Sequence, residues 1–232
     1  MARGVFIAGT DTGVGKTWAS VAIMSALKAA GHRVAGMKPV ASGAEWQDGK
    51  LFNEDALLIQ RACSQSTPYE LINPFVYEQP VAPVIAAAGS GNQPDITRLK
   101  ECYQALAAEN DFVVVEGVGG WRVSLSPDIS TVDLVRAFSL PVIIVVGLRL
   151  GCINHALLTE EAIRADKVKT MGWIANELES DMLQQQQVEE LLKTGLNSPC
   201  LFKLSHSQAL QDLSMDVPNN LPSLLVSPDG LI

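Results

Sequence analysis

The sequence lacks the cysteine patterns of metal-binding and disulfide-bonded domains. Its four cysteines, Cys63, Cys102, Cys152 and Cys200, are scattered and form no CxxC pair, so neither a zinc site nor a disulfide framework is indicated. Reduced core cysteines are the simpler interpretation. The first residues run into a short strand and leave no room for a signal-peptide core or a membrane span. We therefore expect a cytoplasmic protein.

A cationic excess is also missing. The formal net charge is -8, which argues against nucleic acid or an anionic membrane as the main partner, because both need a cationic surface. A local basic patch stays compatible with this charge. Apolar residues make up 47% and charged residues 18% of the 232 residues, a globular balance. We expect one α/β domain over residues 1–232.

What the sequence does contain is a glycine-rich turn, Gly9 to Thr17, that follows an apolar strand (5–8) and precedes a predicted helix (18–30). Backbone N–H groups and the helix dipole converge on one point in such a turn and favour a phosphate. Lys16 would reach the terminal phosphates, and the Thr17 hydroxyl would bind Mg2+. Gly9 and Gly15 enclose five residues instead of the usual four, so this is a longer P-loop variant. A ligand-free glycine turn is the alternative, and the choice between ATP and GTP stays open.

Two further stretches follow predicted strands. Lys38 to Gly43 follows strand 33–37, and Lys38 should face the P-loop crevice, because the carboxyl ends of parallel strands share one edge. Glu116 to Trp121 follows the apolar strand 111–115, and we favour a metal-binding Glu116 over a glutamate that merely lines a turn. Asp55 lies in the first turn of a helix (53–62) capped by Asn53. It is either a metal ligand or a carboxylate that complements the helix dipole.

The rest of the chain alternates between helical and extended patterns. Prolines at 74, 80 and 83 predict a loop-rich stretch, and Leu150 to His155 predicts a turn into a helix. This alternation predicts a three-layer α/β fold with a largely parallel sheet. The other predicted elements are helices 95–109, 131–139, 155–165, 181–193 and 208–213, and strands 141–147, 170–175 and 199–204.

Four blocks in order carry a resemblance to a known family: Gly9 to Thr17, Lys38 to Gly43, Glu116 to Trp121, and Leu150 to His155. With them the chain resembles the dethiobiotin synthetases, over roughly Val5 to Asn176. The resemblance implies a P-loop NTPase-like fold and a homodimeric enzyme of biotin synthesis that depends on ATP and Mg2+. It would join CO2 to 7,8-diaminononanoate through a carbamate and a carbamic-phosphoric anhydride.

The same resemblance implies the roles of individual residues. Lys16 and Lys38 would be catalytic, and Mg2+ would be held by Thr17, Asp55 and Glu116. The substrate would be bound by Thr12, Ser42, Gly151, Cys152, Ile153 and Asn154, the last four from the partner subunit. Asn176 would contact adenine. The other residues expected at the nucleotide are Gly13, Val14, Gly15, Trp18, Gly117, Val118 and Gly119.

The sequence departs from the family in three places. Val118 stands where alanine is usual, and Phe202 to His206 replaces a segment that closes over the base. Around Glu177 to Met182 the proline turn of the family is absent. The rival interpretation is a partitioning-type ATPase switch. Those proteins carry a lysine where this chain has Asp11, and Pro222, Pro228 and Gly230 argue against a basic amphipathic tail helix. A P-loop ligase for another amine is the second alternative.

Overall fold

A parallel sheet of six strands forms the centre of the fold, in the order β10-β9-β8-β1-β7-β2. The computed structural model describes residues 3–206 and 216–226. In chain order the strands are β1 (Arg3–Gly9), β2 (Val34–Met37), β3 (Val40–Ser42), β4 (Glu45–Gln47), β5 (Lys50–Phe52), β6 (Phe75–Tyr77), β7 (Phe112–Glu116), β8 (Val142–Leu148), β9 (Thr170–Glu177) and β10 (Cys200–Leu204). The pairs β3-β6 and β4-β5 form small separate sheets.

Helices cover both faces of this sheet. They are α1 (Lys16–Ala29), α2 (Glu54–Ala62), α3 (Tyr69–Ile72), α4 (Pro83–Ser90), α5 (Ile96–Glu109), α6 (Thr131–Phe138), α7 (Cys152–Ala165), α8 (Gln185–Gly195) and α9 (Leu221–Val226). From β1 the chain passes through α1 to β2 at one edge of the sheet, and from β8 it passes through α7 to β9 toward the other edge. Because crossovers between parallel strands are right-handed, α1 and α7 lie on opposite faces.

The central strands β7 and β8 carry no polar side chain except Glu116 at the end of β7, because helices cover both faces of the sheet. Every residue of β7 and of β8 is buried, as expected for parallel strands with helices on both sides. The sheet order reverses its direction around β1, and a crevice opens at the carboxyl ends of the strands at such a point. The P-loop leaves β1 at this place.

The structure confirms the predicted α/β class and the parallel sheet, and it places β7 directly beside β1 in register, with Ile7 opposite Glu116. The N-caps Asn53 and Asp95 are also confirmed, since each side chain accepts backbone N–H bonds of its helix. The predicted helix 208–213 lies outside the described residues.

Several local predictions were wrong. The stretch from Pro74 to Pro83 contains β6 and opens α4, with Pro83 in the first helical turn, where the missing N–H costs nothing. Helix α7 begins at Cys152 and not at His155, whereas α8 begins at Gln185 and not at Asp181. Pro222 does not prevent a helix either: it lies in the first turn of α9.

Candidate functional site

The P-loop turns from β1 into α1 with two glycines in the left-handed region, Gly13 at φ 71° and Gly15 at φ 88°. Gly15 is the N-cap of α1, and no side chain caps this helix. The first N–H groups of the helix are therefore free to bind an acceptor. Together with the helix dipole they form an anion-binding site.

Asn176, at the end of β9, is packed against this turn. Its Nδ2 donates a hydrogen bond to the carbonyl oxygen of Val14 at 3.0 Å. A Cβ atom at position 15 would lie 2.0 Å from the same Nδ2, so both the backbone angle and the neighbour require glycine there. The amide thus holds the P-loop in place with one of its two N–H groups.

Lys16 is buried at the start of α1, and its Nζ donates to the main-chain oxygen of Asp11 at 2.9 Å. Burial lowers the pKa of this ammonium to about 8, while Glu116 acts in the opposite direction. A lysine with a lowered pKa in a phosphate-binding turn is typical of a functional site. It supplies a positive charge that little solvent screens.

Glu116 lies at the end of β7 below the P-loop and is fully buried. Its Oε1 accepts from the Thr17 hydroxyl at 2.9 Å, and its Oε2 accepts from the Ser20 hydroxyl at 2.9 Å. These bonds hold the carboxylate in one orientation at the base of α1. The sequence did not single out Ser20, because a serine inside a helix carries no distinctive signal.

Lys38 joins the two predicted carboxylates. Its Nζ lies 2.5 Å from Glu116 Oε1 and 3.0 Å from Asp55 Oδ2. Burial would lower the pKa of Lys38, but attraction from Glu116 and Asp55 outweighs it and raises the pKa. For Asp55, burial acts to raise the pKa, and the charge of Lys38 holds it below its usual value.

A buried network that sequence analysis missed holds the main chain of Lys38. Asn73 Nδ2 donates to the Lys38 carbonyl oxygen at 2.7 Å, and the Lys38 N–H donates to Ile72 at 2.8 Å. Tyr69 then links this network to helix α2, because its hydroxyl donates to Asn73 and accepts from the Asn53 N–H. Asn73 lies beside Pro74 in the stretch assigned to loops, where nothing in the pattern distinguishes a structural asparagine.

A cleft of about 740 Å3 lies at the carboxyl edge of the sheet. Among the predicted residues, the cleft is lined by Thr12, Gly13, Gly15, Lys16, Thr17, Trp18, Lys38, Ser42, Asp55, Val118 and Gly119. It is also lined by residues that were not predicted as site residues: Asp11, Asn53, Pro80, Val81, Ala82, Pro83, Gly120 and Val123. Pro80, Val81, Ala82 and Pro83 of the second set give the cleft an apolar surface beside the charged P-loop.

Other predicted residues do not line this cleft. Val14 is a core residue at 1% exposure, and Gly117 lies against the ring of Phe6. Glu116 is fully buried and bonds to two residues that line the cleft, Thr17 and Lys38. The turn from Gly151 to Asn154 caps α7 away from the cleft, with Gly151 at φ 92° and no capping side chain.

The donor set suits Mg2+. Thr17, Asp55 and Glu116 offer a hydroxyl and two carboxylates, and hard oxygen ligands of this kind are preferred by Mg2+. Within residues 3–206 and 216–226, no group of three or more His, Cys, Asp or Glu side chains could hold a metal ion. An ion bound here would need phosphate oxygens as further ligands, which is the usual situation for Mg2+ beside a nucleotide.

An ion pair that sequence analysis missed crosses the mouth of the cleft. Arg149, which follows β8, bonds through Nη2 to Oδ2 of Asp11 in the P-loop. Both side chains are partly exposed, at 41% and 45%. The pair connects the P-loop to the loop that leads into α7.

Membrane association by a spanning segment has no basis in the described part of the chain, since none of its helices is long and apolar enough.

Known proteins match most of this chain. A family model described as an AAA domain matches residues 3–211. The chain is 46% identical over 204 residues to the ATP-dependent dethiobiotin synthetase BioD of Aromatoleum aromaticum, covering 88% of this chain and 91% of the relative. It is 46% identical over 195 residues to the protein of the same name from Xanthomonas oryzae pv. oryzae, covering 84% and 87%.

Solved structures of low sequence identity share the fold. A ParA family ATPase from Chlorobium tepidum superposes with a TM-score of 0.55 at 12% identity, covering 93% of this chain and 90% of that one. The septum site-determining protein MinD of Pyrococcus horikoshii, complexed with Mg-ADP, gives 0.52 at 16% identity, covering 96% and 89%. The two likenesses establish a P-loop α/β architecture, and the sequence relatives establish the family within it: the chain belongs to the ATP-dependent dethiobiotin synthetases.

Proposed function

We propose that this chain is an ATP-dependent cyclo-ligase that joins CO2 to 7,8-diaminononanoate and gives dethiobiotin, ADP and phosphate. The observation that carries the proposal is the placing of Lys38 and the P-loop in one cleft, with Lys38 bonded to both predicted metal-binding carboxylates. Family membership supports the same reaction.

The chemistry forms two bonds to carbon and uses ATP to create a leaving group. One amine attacks CO2, loses a proton and becomes a carbamate. A carbamate oxygen then attacks the γ-phosphorus, and ADP leaves. The second amine attacks the carbonyl carbon of the mixed anhydride, loses a proton and expels phosphate, which closes the ring.

Lys16 and Lys38 supply positive charge where negative charge gathers during these steps. Lys16 lies at the P-loop and would stabilise the transferring phosphoryl group, and Lys38 would hold the carbamate beside it. Because both ammonium groups are buried, their charges are weakly screened and act strongly. Asn73 holds the main chain of Lys38 by a hydrogen bond, so the position of the Lys38 ammonium group relative to the cleft is constrained.

Thr17, Asp55 and Glu116 would hold Mg2+, which when bound neutralises charge on the phosphates. Thr17 comes from α1 and Glu116 from the end of β7. Asp55 comes from the first turn of α2, whose position is fixed by the Asn53 cap. All three donors thus come from rigid elements and not from mobile loops.

The diamine would lie along the wall formed by Pro80, Val81 and Ala82, which offers apolar contact to its alkyl chain. Thr12 and Ser42 line the same cleft and would bind the amino groups. We assign adenine to the neighbourhood of Asn176. Since the bond to Val14 uses one N–H of the Asn176 amide, its second N–H and its carbonyl oxygen would be available for the base.

The carboxylate of the diamine would be held by a second copy of the chain. Gly151 to Asn154 begin α7 without a capping side chain, and although the Cys152 N–H donates to the Arg149 carbonyl oxygen at 3.0 Å, the start of such a helix suits a carboxylate. These residues lie outside the cleft of their own chain. Beside them Leu150 is 99% exposed, and Leu158 on the same helix is 56% exposed. An apolar surface next to an anion-binding turn fits a homodimer contact.

We also propose one domain that works in the cytoplasm on small molecules, without nucleic acid or membrane as partner. The acidic net charge and the four free cysteines, three of them buried, support this. The shared fold with ParA and MinD does not bring their switch function to this chain. Asp11 replaces the lysine expected of partitioning ATPases, and it is paired with Arg149.

The test is phosphate release by purified protein with ATP and Mg2+. The diamine and bicarbonate are each added alone and then together. Release that needs both supports the proposal. Release driven by DNA or liposomes, with none caused by the diamine, would favour a switch ATPase, and release with a different amine would indicate another ligase.

A further inference from the structure

The Asp11–Arg149 pair belongs to none of the roles assigned above. Asp11 is the centre of several bonds in the P-loop: Oδ1 accepts from the Thr12 N–H at 2.7 Å, and its main-chain oxygen accepts from Lys16 Nζ at 2.9 Å. Arg149 reaches its other carboxylate oxygen, Oδ2. The orientation of Asp11 therefore affects both the loop and Lys16.

Folding stability does not explain this pair. Its side chains are 41% and 45% exposed, and water and salt screen such surface pairs so that they contribute little. The position of the pair is more informative. Asp11 lines the cleft, and Arg149, which directly follows β8, bonds to Asp11. A pair of low structural value at the mouth of a ligand site indicates a role toward the ligand.

The charge balance of the site shows what that role is. The two lysines of the site, Lys16 and Lys38, face three carboxylates, those of Asp11, Asp55 and Glu116. Without a metal ion the sum of these side-chain charges is -1, which opposes the entry of a triphosphate; Mg2+ that enters with the nucleotide would offset the charge of Asp55 and Glu116 but not that of Asp11. Lys38 already pairs with two of these carboxylates, Asp55 and Glu116. The charge of the third, Asp11, is balanced by Arg149. With Arg149 included, the sum is zero.

We propose that Arg149 is a positioning residue of the nucleotide site that acts through Asp11. This inference rests on the proposed use of ATP. By pairing with the carboxylate, Arg149 removes a negative charge from the path of the phosphates and holds Asp11 turned toward the loop after β8. Without it, the carboxylate would compete with phosphate for Lys16 and for the free N–H groups of α1.

ATP binding to the full-length protein, measured by titration calorimetry with Mg2+, tests this. Arg149→Ala should weaken binding about tenfold, the effect of one uncompensated charge near the surface. Arg149→Lys keeps the charge and should stay within about threefold of the wild type. The double variant Asp11→Asn with Arg149→Ala should recover to within about threefold, because the repelling carboxylate is gone.

Arg33→Ala is the matched control. It removes the exposed pair of Arg33 with Asp111 at 3.1 Å, far from the cleft at the other end of the strands, and should leave ATP binding unchanged. If Arg149→Ala does not fold, Arg149→Gln takes its place, since it removes the charge but keeps most of the side chain, and the same loss of about tenfold is expected.

Equal affinity of Arg149→Ala and wild type would overturn the inference. So would a double variant that stays as weak as Arg149→Ala, because Arg149 would then contact the phosphates directly. The proposed reaction is judged separately by phosphate release from the wild type. A protein that binds ATP in the expected pattern but needs no diamine would disprove the reaction and leave Arg149 its role.

Discussion

The ammonium of Lys38 lies 2.5 Å from Oε1 of Glu116, and the two side chains are 5% and 0% exposed. Two opposite charges that are both out of water depend on each other, since each would be costly to bury alone. Lys38 also donates to Asp55, and Glu116 also accepts from the Thr17 hydroxyl. The Lys38–Glu116 contact therefore connects the end of β7 to the cleft that Lys38 lines.

Glu116→Gln should destabilise the protein by about 3 kcal/mol, because it leaves the Lys38 charge buried with Asp55 as its remaining partner. Urea unfolding measures the change. The double variant Glu116→Gln with Lys38→Met should recover much of the loss, since the unpaired charge is then removed. An unchanged midpoint for Glu116→Gln would mean that Asp55 alone balances Lys38.

Asp55→Asn and Glu116→Gln should each raise the Mg2+ concentration needed for half-maximal activity, because each removes a charged oxygen ligand. Glu54→Gln is the matched control, since Glu54 is the exposed neighbour of Asp55 on the same helical turn. A Mg2+ requirement that stays at the wild-type value in Asp55→Asn would leave that residue as a carboxylate that only complements the helix dipole.

The kcat/KM for ATP should fall as the pH rises through about 8, the pKa to which burial lowers Lys16. The protonated, charged form is the one that attracts phosphate. With one group of this pKa, the charged fraction and kcat/KM drop about tenfold between pH 7 and pH 9. Lys16→Arg, which keeps its charge, should lose activity but show a flat profile in this range. A wild-type profile that is level up to pH 9 would contradict the role of Lys16.

Mixing Lys38→Ala with Gly151→Val should restore activity if the active sites are shared between two subunits. Gly151→Val alone should weaken diamine binding and spare ATP binding. In a mixed dimer one site carries both defects and the other carries neither. The control mixture, Lys38→Ala with Lys16→Ala, should stay inactive because both lysines serve the same cleft. A fully active monomer in sedimentation, or mixed dimers without activity, would show that the site lies within one chain.

We expect weak selectivity between ATP and other triphosphates, measured by competition with CTP and GTP. Within the segment that departs from the family, Phe202 and Leu204 are buried and face the core. Ser205 and His206 are exposed, so few groups of this segment can read a base. A strong preference for ATP would show that Asn176 suffices, and His206→Ala would test what the exposed part adds.

The sequence predicted the geometry of the P-loop well, because one local pattern determines its backbone. Gly9 to Thr17 is such a pattern, because glycine angles, helix start and lysine all lie within nine residues. Lys38 and Glu116 were also placed correctly, because the ends of parallel strands meet at one edge.

The parts that were missed depend on contacts between distant residues. The Asp11–Arg149 pair joins residues 138 positions apart, and neither residue has an unusual local setting. Asn73 and Tyr69 support Lys38 through hydrogen bonds that no periodicity encodes. The helix at Pro83 was missed because proline marks both loops and helix starts, and only the packing of α4 decides between them.

The contact between Gly15 and Asn176 limits how this P-loop can change during evolution. A single substitution at position 15 meets two barriers at once, the left-handed backbone angle and the Asn176 amide 2.0 Å from the new Cβ. Shortening Asn176 removes only the second barrier and also removes the bond to Val14. A side chain at position 15 is therefore conditional on a change at position 176, whereas position 176 can change while glycine stays at position 15. A saturation library of both codons should yield functional clones that keep glycine at position 15, whatever they carry at position 176.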